Sequence, residues 1–233
     1  MNNKVKILHV LWVGGIGGAE EYVRMITRYL NSSRYDNAVC FLSQRGEICQ
    51  EIQREGNVSL TSMGFRNGFD VEASVKFYKY VRENGFDIIH IHVRNILSML
   101  VLALFFSRIP KIITHHTGIQ LTDPDDIRKF KKSKLFYFLF SRFLRKIIAI
   151  SGYVKDNLIR NMGISPAEKI EVLHNGIDMQ VFDRVRRTTP ELLNVRSVGG
   201  KVIGFIGRMV PCKRPELFIQ CAAEIIKRDT GYR

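Results

Sequence analysis

Residues 4–30 read KVKILHVLWVGGIGGAEEYVRMITRYL, and the reading of this stretch decides the fold. Lys4 to Val13 has the apolar, β-branched character of a strand, interrupted by His9. Four glycines follow, Gly14, Gly15, Gly17 and Gly18. The chain then takes up a helical pattern from Gly18 to Leu30, with Tyr22, Ile26 and Tyr29 on one stripe. A strand, a glycine turn and a helix form the opening unit of an alternating α/β chain. The turn itself has two readings. Glycines let the backbone approach a ligand, and the unpaired N–H groups of a helix start suit a phosphate. They also make a tight turn with no ligand at all. The order G-G-I-G-G-A-E completes neither G-x-G-x-x-G nor a G-K-[ST] ending, so the motif alone leaves both open.

The same rhythm continues outward. Strands are expected at Asn37–Ser43, Val58–Met63, Phe86–His92, Pro110–His116, Lys146–Ser151 and Ile170–His174. Helices are expected near Ile48–Glu55, Val71–Glu83, Ile96–Ser107, Ile127–Arg142 and Tyr153–Met162. Apolar strands alternating with helices predict a doubly wound parallel α/β sheet, covered on both faces. Asp183 to Val198 breaks the pattern with Arg184, Arg186, Arg187 and Pro190, and reads as a linker. Beyond it a strand at Lys201–Ile206, a loop and a helix at Pro215–Lys227 make one further βα unit, with Phe218, Cys221, Ala222 and Ile225 as its apolar stripe. The expected organisation is a domain at 1–183, a linker at 184–198 and, at 199–233, a βα unit too small to bury a core of its own.

At 233 residues, 45% hydrophobic and 25% charged, the composition is that of a globular protein, and disorder is excluded as the main state. Lys plus Arg number 36 against 22 Asp plus Glu, a net charge of +14 that favours anionic partners: phosphorylated ligands, membrane headgroups or nucleic acid. Cys40, Cys49, Cys212 and Cys221 form no CxxC pair and have no His at ligand spacing, which argues against a disulfide framework or zinc site and fits a reducing cytosol. The longest greasy stretch, Ile96–Phe106, is about half of the roughly 20 residues that span a bilayer and reads as a buried helix.

Several motifs carry chemistry. His90 and His92 end one strand, and His115 and His116 another, at the carboxyl edge where open α/β sheets bind ligands. A two-residue step puts His90 and His92 on one face, whereas only one of His115 and His116 can face the cleft. They could bind a metal or cap the sheet through hydrogen bonds, and no carboxylate or Cys accompanies them. Arg208 and Lys213 lie after the last expected strand, beside a helix start; a planar fork and a point charge make a compact diphosphate site, or simply a solvated basic loop. Glu216 and Glu224 have an E-x7-E spacing, but on one helix they stand two turns apart and cannot converge on one atom. Ile127 to Lys146 holds eight basic residues and no acidic ones around Leu135-Phe-Tyr-Phe-Leu-Phe140. That pattern fits an interfacial helix on anionic lipid, with Lys131, Lys132 and Lys134 facing the membrane, or a core helix with solvated ends. No stacking platform or recognition-helix motif for nucleic acid is visible.

Taken in order, Gly17-Gly18-Ala19-Glu20, His90-Ile-His92, Thr114-His115-His116-Thr117, Ile150-Ser151, Asn175-Gly176-Ile177-Asp178 and Gly207-Arg208 with Lys213 resemble the retaining glycosyltransferases of family 4 (group 1), which have the two-domain GT-B fold. The resemblance covers the whole chain, as the front part of such an enzyme. It implies an acceptor-side Rossmann-like domain followed by the first βα unit of the nucleotide-sugar-binding domain. Arg208 and Lys213 would hold the donor diphosphate, with Gly17 and Gly18 offering it backbone N–H groups. His116 would face the transferred sugar as the catalytic residue, and His92, Arg94 and Thr117 would lie on the acceptor side. The donor is a nucleotide-sugar, and no metal or other cofactor is implied, since the two cations neutralise the diphosphate. The acceptor is expected to be a glycan or a lipid-linked molecule of cell-envelope polysaccharide or glycolipid synthesis, handled in the cytoplasm or at the inner face of the membrane. The family's own E-x7-E is expected downstream of Lys213, beyond Arg233. The competing expectation is a non-catalytic fragment that binds membrane or glycan.

Overall fold

The computed structural model describes residues 4–56, 58–92, 95–116, 134–135, 138–164, 166–180, 203–207, 209 and 213–228. The chain divides into two compact units, Met1–Gly176 and Ile177–Arg233. The expected domain end at residue 183 and the linker at 184–198 lie outside the described residues.

In the first unit, seven described strands form one parallel sheet: β1 (Val5–Leu11), β2 (Tyr35–Phe41), β3 (Ser59–Ser62), β4 (Ile88–Ile91), β5 (Lys111–His115), β6 (Lys146–Ala149) and β7 (Ile170–Val172). Their order is β3-β2-β1-β4-β5-β6-β7. The progression reverses at β1, which pairs with β2 on one side and β4 on the other. Such a reversal opens a crevice outside the carboxyl ends of the two diverging strands.

The two faces of the sheet have separate cores. Leu8 and Val10 of β1, with Ala38, Cys40, Ile89, Ile91, Ile113, Ile147 and Ala149, pack against α3 (Val71–Asn84), α4 (Ile96–Phe105) and α5 (Gly152–Met162) through Phe77, Val81, Met99, Leu102, Leu158 and Met162. Leu11, Val39 and Phe41 face α1 (Gly18–Tyr29) and α2 (Ile48–Glu55) through Val23, Ile48 and Ile52. Because strand side chains alternate, β1 sends Leu8 and Val10 to one core and His9 and Leu11 to the other. The buried positions of α1 are Val23 and Thr27, and Tyr29 is exposed. The expected stripe of Tyr22, Ile26 and Tyr29 is therefore rotated away from the core. Arg24 joins α1 to α2 by donating to both carboxylate oxygens of Glu55, at 2.5 and 2.6 Å, and by pairing with Glu21.

Helix ends follow the sequence. Asp70, Asn95 and Ser151 accept from the backbone N–H of Ala73, Ser98 and Val154 at the starts of α3, α4 and α5. Gly85 and Gly163 close α3 and α5 in the left-handed region. The buried Lys111 donates to the carbonyls of Phe106 and Ile109 at 2.6 and 2.8 Å, tying the end of α4 to the start of β5; burial lowers its ammonium to about 8. Cys40 and Cys49 are buried free thiols in the two cores, and Cys221 is an exposed free thiol.

In the second unit, α6 (Pro215–Arg228) forms where expected and buries none of its residues. The expected strand at 201–206 is not seen among its described residues, 203–206, which have no ladder partner. Ile203 and Ile206 are exposed, and a strand without neighbours has nothing to satisfy its backbone. The ring of Phe205 instead meets that of Phe218 on α6, centroids 5.6 Å apart. Glu224 pairs with Lys227 and Arg228 along the same helix, so the Glu216–Glu224 spacing is surface decoration.

Candidate functional site

Beyond Leu11, β1 stays hydrogen-bonded to the segment after β2: Ser43 N–H donates to the Trp12 carbonyl at 2.8 Å, and Gly14 N–H to that of Gln44 at 3.0 Å. Here the backbones of Gly14 and Gly46 cross in contact. A Cβ on Gly14 would lie 2.6 Å from Gly46 N, and one on Gly46 would strike the Gly14 carbonyl. These two glycines are required by crowding. Gly15 and Gly18 have open space where a side chain would stand. Gly17 is the cap residue of α1, in extended backbone and without a side-chain cap bond. The starts of α3, α4 and α5 are covered by a cap side chain; that of α1 is not. Glu20 and Glu21 sit in its first turn, and the Glu20 carboxylate lies against Gly17, which favours the positive helix end but competes with any phosphate there.

On the α1 face, just beside the crevice, four histidines gather. His9 of β1 is the register partner of His90 in β4, and His92 and His116 are the first residues past the ends of β4 and β5. His9 Nε2 lies 3.3 Å from Asn37 Oδ1, His9 Nδ1 3.4 Å from His92 Nε2, and His92 Nδ1 3.3 Å from His116 Nε2. His90 Nε2 is 2.7 Å from Thr114 Oγ1. Tyr22 of α1 covers the group, its ring edge-on to His116 with centroids 5.0 Å apart, and its hydroxyl hydrogen-bonds to Thr114. His115 falls on the opposite face, in register with Ala149. Of the adjacent pair, His116 is thus the one that shares a face with His90 and His92.

Burial sets the charge of the cluster. It lowers His9 and His116 to about 4 and takes His90 and His92 well below the ordinary imidazole range. Neighbouring imidazoles add to the effect at His90 and His92. All four are neutral at pH 7, each with one ring nitrogen donating and one accepting. His9, His90 and His92 each place a ring nitrogen within 4.8 Å of the others, a grouping that a cation such as zinc could approach. A cation there would displace the His9–His92 hydrogen bond, since both nitrogens of each of these two rings already have partners.

His92 and His116 are brought together as candidate residues, and Gly17 and Gly18 stand at the carboxyl edge of β1. Arg94, Thr117, Lys131, Lys132 and Arg208 lie outside the described residues. Lys134 and Lys213 are exposed, in the first and second units respectively. His9, Asn37 and Tyr22 are legible in the sequence as parts of β1, β2 and α1, not as site residues. The available signal was polar His9 inside a strand of a parallel sheet, which is buried on both faces and must give a polar side chain a partner.

The sequence profile of Glycosyltransferase Family 4 matches residues 16–181. The chain belongs to that family. Among curated relatives of this family 4 chain, the UDP-Gal:alpha-D-GlcNAc-diphosphoundecaprenol alpha-1,3-galactosyltransferase of Escherichia coli is 22% identical over 98% of the chain and 60% of that protein. The D-inositol 3-phosphate glycosyltransferase of Kribbella flavida is 27% identical over 66% of the chain and 37% of that protein. Among solved structures, Anabaena Alr3699/HepE in complex with UDP and glucose matches with a TM-score of 0.69 and 19% identity, over 94% of the chain and 58% of that structure. At that identity the match shows a shared GT-B fold. The family 4 chain spans three-fifths or less of the length of each of these relatives. No described helix is long and apolar enough to cross a membrane.

Proposed function

We propose that the protein transfers a sugar, with retention, from a nucleotide-sugar to a glycan or lipid-linked acceptor in cell-envelope polysaccharide or glycolipid synthesis. The observation that carries this reading is His116, just past the carboxyl end of β5 beside the sheet's switch point, with a buried Nδ1 that has no hydrogen-bond partner among the described residues. A buried acceptor atom calls for a donor, and a sugar hydroxyl supplies one. The Escherichia coli relative is named for a diphosphoundecaprenol acceptor and a UDP-sugar donor, and the Anabaena structure is described with UDP and glucose; both support the substrate classes.

In this reading the first unit serves the acceptor side, and the second begins the nucleotide-sugar domain. Arg208 and Lys213 neutralise the donor diphosphate and stabilise the departing nucleotide, without a metal. Gly17 and Gly18 offer backbone N–H groups to the same diphosphate once the Glu20 carboxylate swings aside. His92, Arg94 and Thr117 line the acceptor side. Lys131, Lys132 and Lys134 bring the protein peripherally to the anionic inner leaflet, where a lipid-linked acceptor resides.

The test is transfer from a panel of UDP-, GDP- and ADP-sugars to polyprenyl-diphosphate-linked saccharides, with the anomeric configuration of the product read by NMR. An α-configured donor giving an α-linked product supports the reading. An inverted product refutes retention. Binding of acceptor or anionic vesicles with no transfer from any donor would return the chain to a binding role.

A further inference from the structure

The hydrogen bonds around His116 run in a chain, and the far end of that chain is chemically directional. Asn37, buried on β2, places its carbonyl oxygen Oδ1 at His9 Nε2. With the Asn37 amide turned so that Oδ1 faces the ring, the oxygen only accepts, so His9 Nε2 carries the proton and donates. In a neutral imidazole the other nitrogen is then a lone pair, so His9 Nδ1 accepts, and the proton between the two rings belongs to His92 Nε2. His92 Nδ1 is in turn bare and accepts from His116 Nε2. The last ring, with Nε2 protonated, is left with a lone pair on Nδ1, the buried atom that has no partner among the described residues. Three rings from three strands pass one instruction along: β2 and β1 set β4, and β4 sets the residue that follows β5.

We propose that Asn37, His9 and His92 are positioning residues that fix His116 as the Nε2–H tautomer, so that its Nδ1 accepts a hydrogen bond from a hydroxyl of the bound sugar. Several features of the surroundings support a single protonation pattern. His9 and His92 are buried, and a second proton on His9 would set its Nδ1–H against the Nε2–H of His92, two donors 3.4 Å apart. His90, the other histidine of the cluster, is occupied separately by Thr114 at 2.7 Å. Tyr22 packs edge-on against both His92 and His116, which limits ring rotation. The consequence is a specificity device: a site that presents a fixed lone pair selects a ligand with a hydroxyl at that point and disfavours one with a hydrogen or an ether there.

The inference rests on the reading of the site as a sugar site, and its test separates the two. The full chain, labelled with 15N-histidine, is examined by long-range proton–nitrogen correlation at neutral pH, with each signal assigned by single substitution. The expected result is a pyrrole-type Nε2 and a pyridine-type Nδ1 at His116, and the same tautomer at His9 and His92. Asn37→Leu, close in volume but without the acceptor, is expected to turn the His116 signal into a mixture of tautomers; Asn37→Asp, whose carboxylate favours a doubly protonated His9 that donates from Nδ1, is expected to reverse the chain and put the proton on His116 Nδ1. A purely structural role for Asn37 would make the two variants behave alike. A protonated Nδ1 at His116 in the unmodified chain would overturn the proposal, because it means the chain runs the opposite way. So would a His116 tautomer that survives Asn37→Leu, or one equivalent of zinc retained on His9 and His92 after purification. If the tautomers are as stated but His116→Ala transfers sugar at the original rate, the chain stands and the sugar-site reading fails.

Discussion

His92 Nδ1 lies 3.3 Å from His116 Nε2, so the residue that closes β4 directly contacts the residue that follows β5. Parallel pairing of β4 with β5 makes this contact, since Ile91 and Ile113 are register partners and each histidine follows on the same side of the sheet. Most of what can be tested about the protein turns on this junction and on the turns that frame it.

The buried histidines predict an acid-sensitive fold. His9 has a folded value of about 4 against 6.5 for the free side chain, so between these pH values the unfolded chain binds a proton that the fold excludes. Stability therefore falls as pH drops through 6.5 and stops falling from this cause near 4. His9 alone contributes a loss on the order of 3 kcal/mol, and His90 and His92 add in the same direction. Urea midpoints measured from pH 8 to pH 4 check the window; flat stability above about 7 and a steep decline below 6.5 is the expected curve.

The glycines divide into two kinds. Gly14→Ala and Gly46→Ala each force a methyl into backbone and are expected to cost about 1–3 kcal/mol, seen as a lowered melting temperature. Gly18→Ala meets nothing within 4 Å and is expected to leave the melting temperature unchanged or slightly raised. If a diphosphate lies against the Gly18 backbone, the added methyl stands in its way and raises the donor KM several-fold, a separation that thermal and kinetic assays on one protein preparation reveal.

Arg24→Met removes the clamp between α1 and α2. Its side chain is only 13% exposed and engages Glu21, Glu51 and Glu55. The expected loss is about 1–3 kcal/mol, larger than for an exposed pair, because Glu55 is left with Arg28 alone. A double-mutant cycle with Glu55→Gln should return a coupling of about 1 kcal/mol or more; additive losses would count against the clamp.

How far the sequence carried the account depended on the range of the interactions involved. The βα alternation was legible because parallel strands and their helices are written in local periodicity, and β1, α1, β4 and α5 lie within a few residues of expectation. The strand expected at 201–206 came from the same local pattern, and its described residues, 203–206, form no ladder, because a strand needs a partner and none is described there. His90, His92 and His116 were found because strand ends are local features. His9 and Asn37 were missed because their meaning depends on register: His9 stands opposite His90, and Asn37 reaches His9 from the neighbouring strand, 28 residues away in sequence. Tyr22 falls in the sequence on one stripe of α1 with Ile26 and Tyr29, and only the burial of Val23 and Thr27 against the sheet shows that it turns toward the histidines.

Lys213, exposed just before α6, is expected to act on the donor side, so Lys213→Ala should reduce kcat/KM for the nucleotide-sugar at least tenfold while the melting temperature stays unchanged. An equal loss with Lys213→Arg would show that a point charge, not merely a positive one, is needed there.

The most direct test of the central claim is sugar transfer by the full chain with and without His116. The account predicts that His116→Ala lowers kcat for transfer from the preferred nucleotide-sugar at least tenfold, about 1.4 kcal/mol or more in transition-state stabilisation, with binding of the free nucleotide retained. Transfer at the original rate by His116→Ala would contradict it.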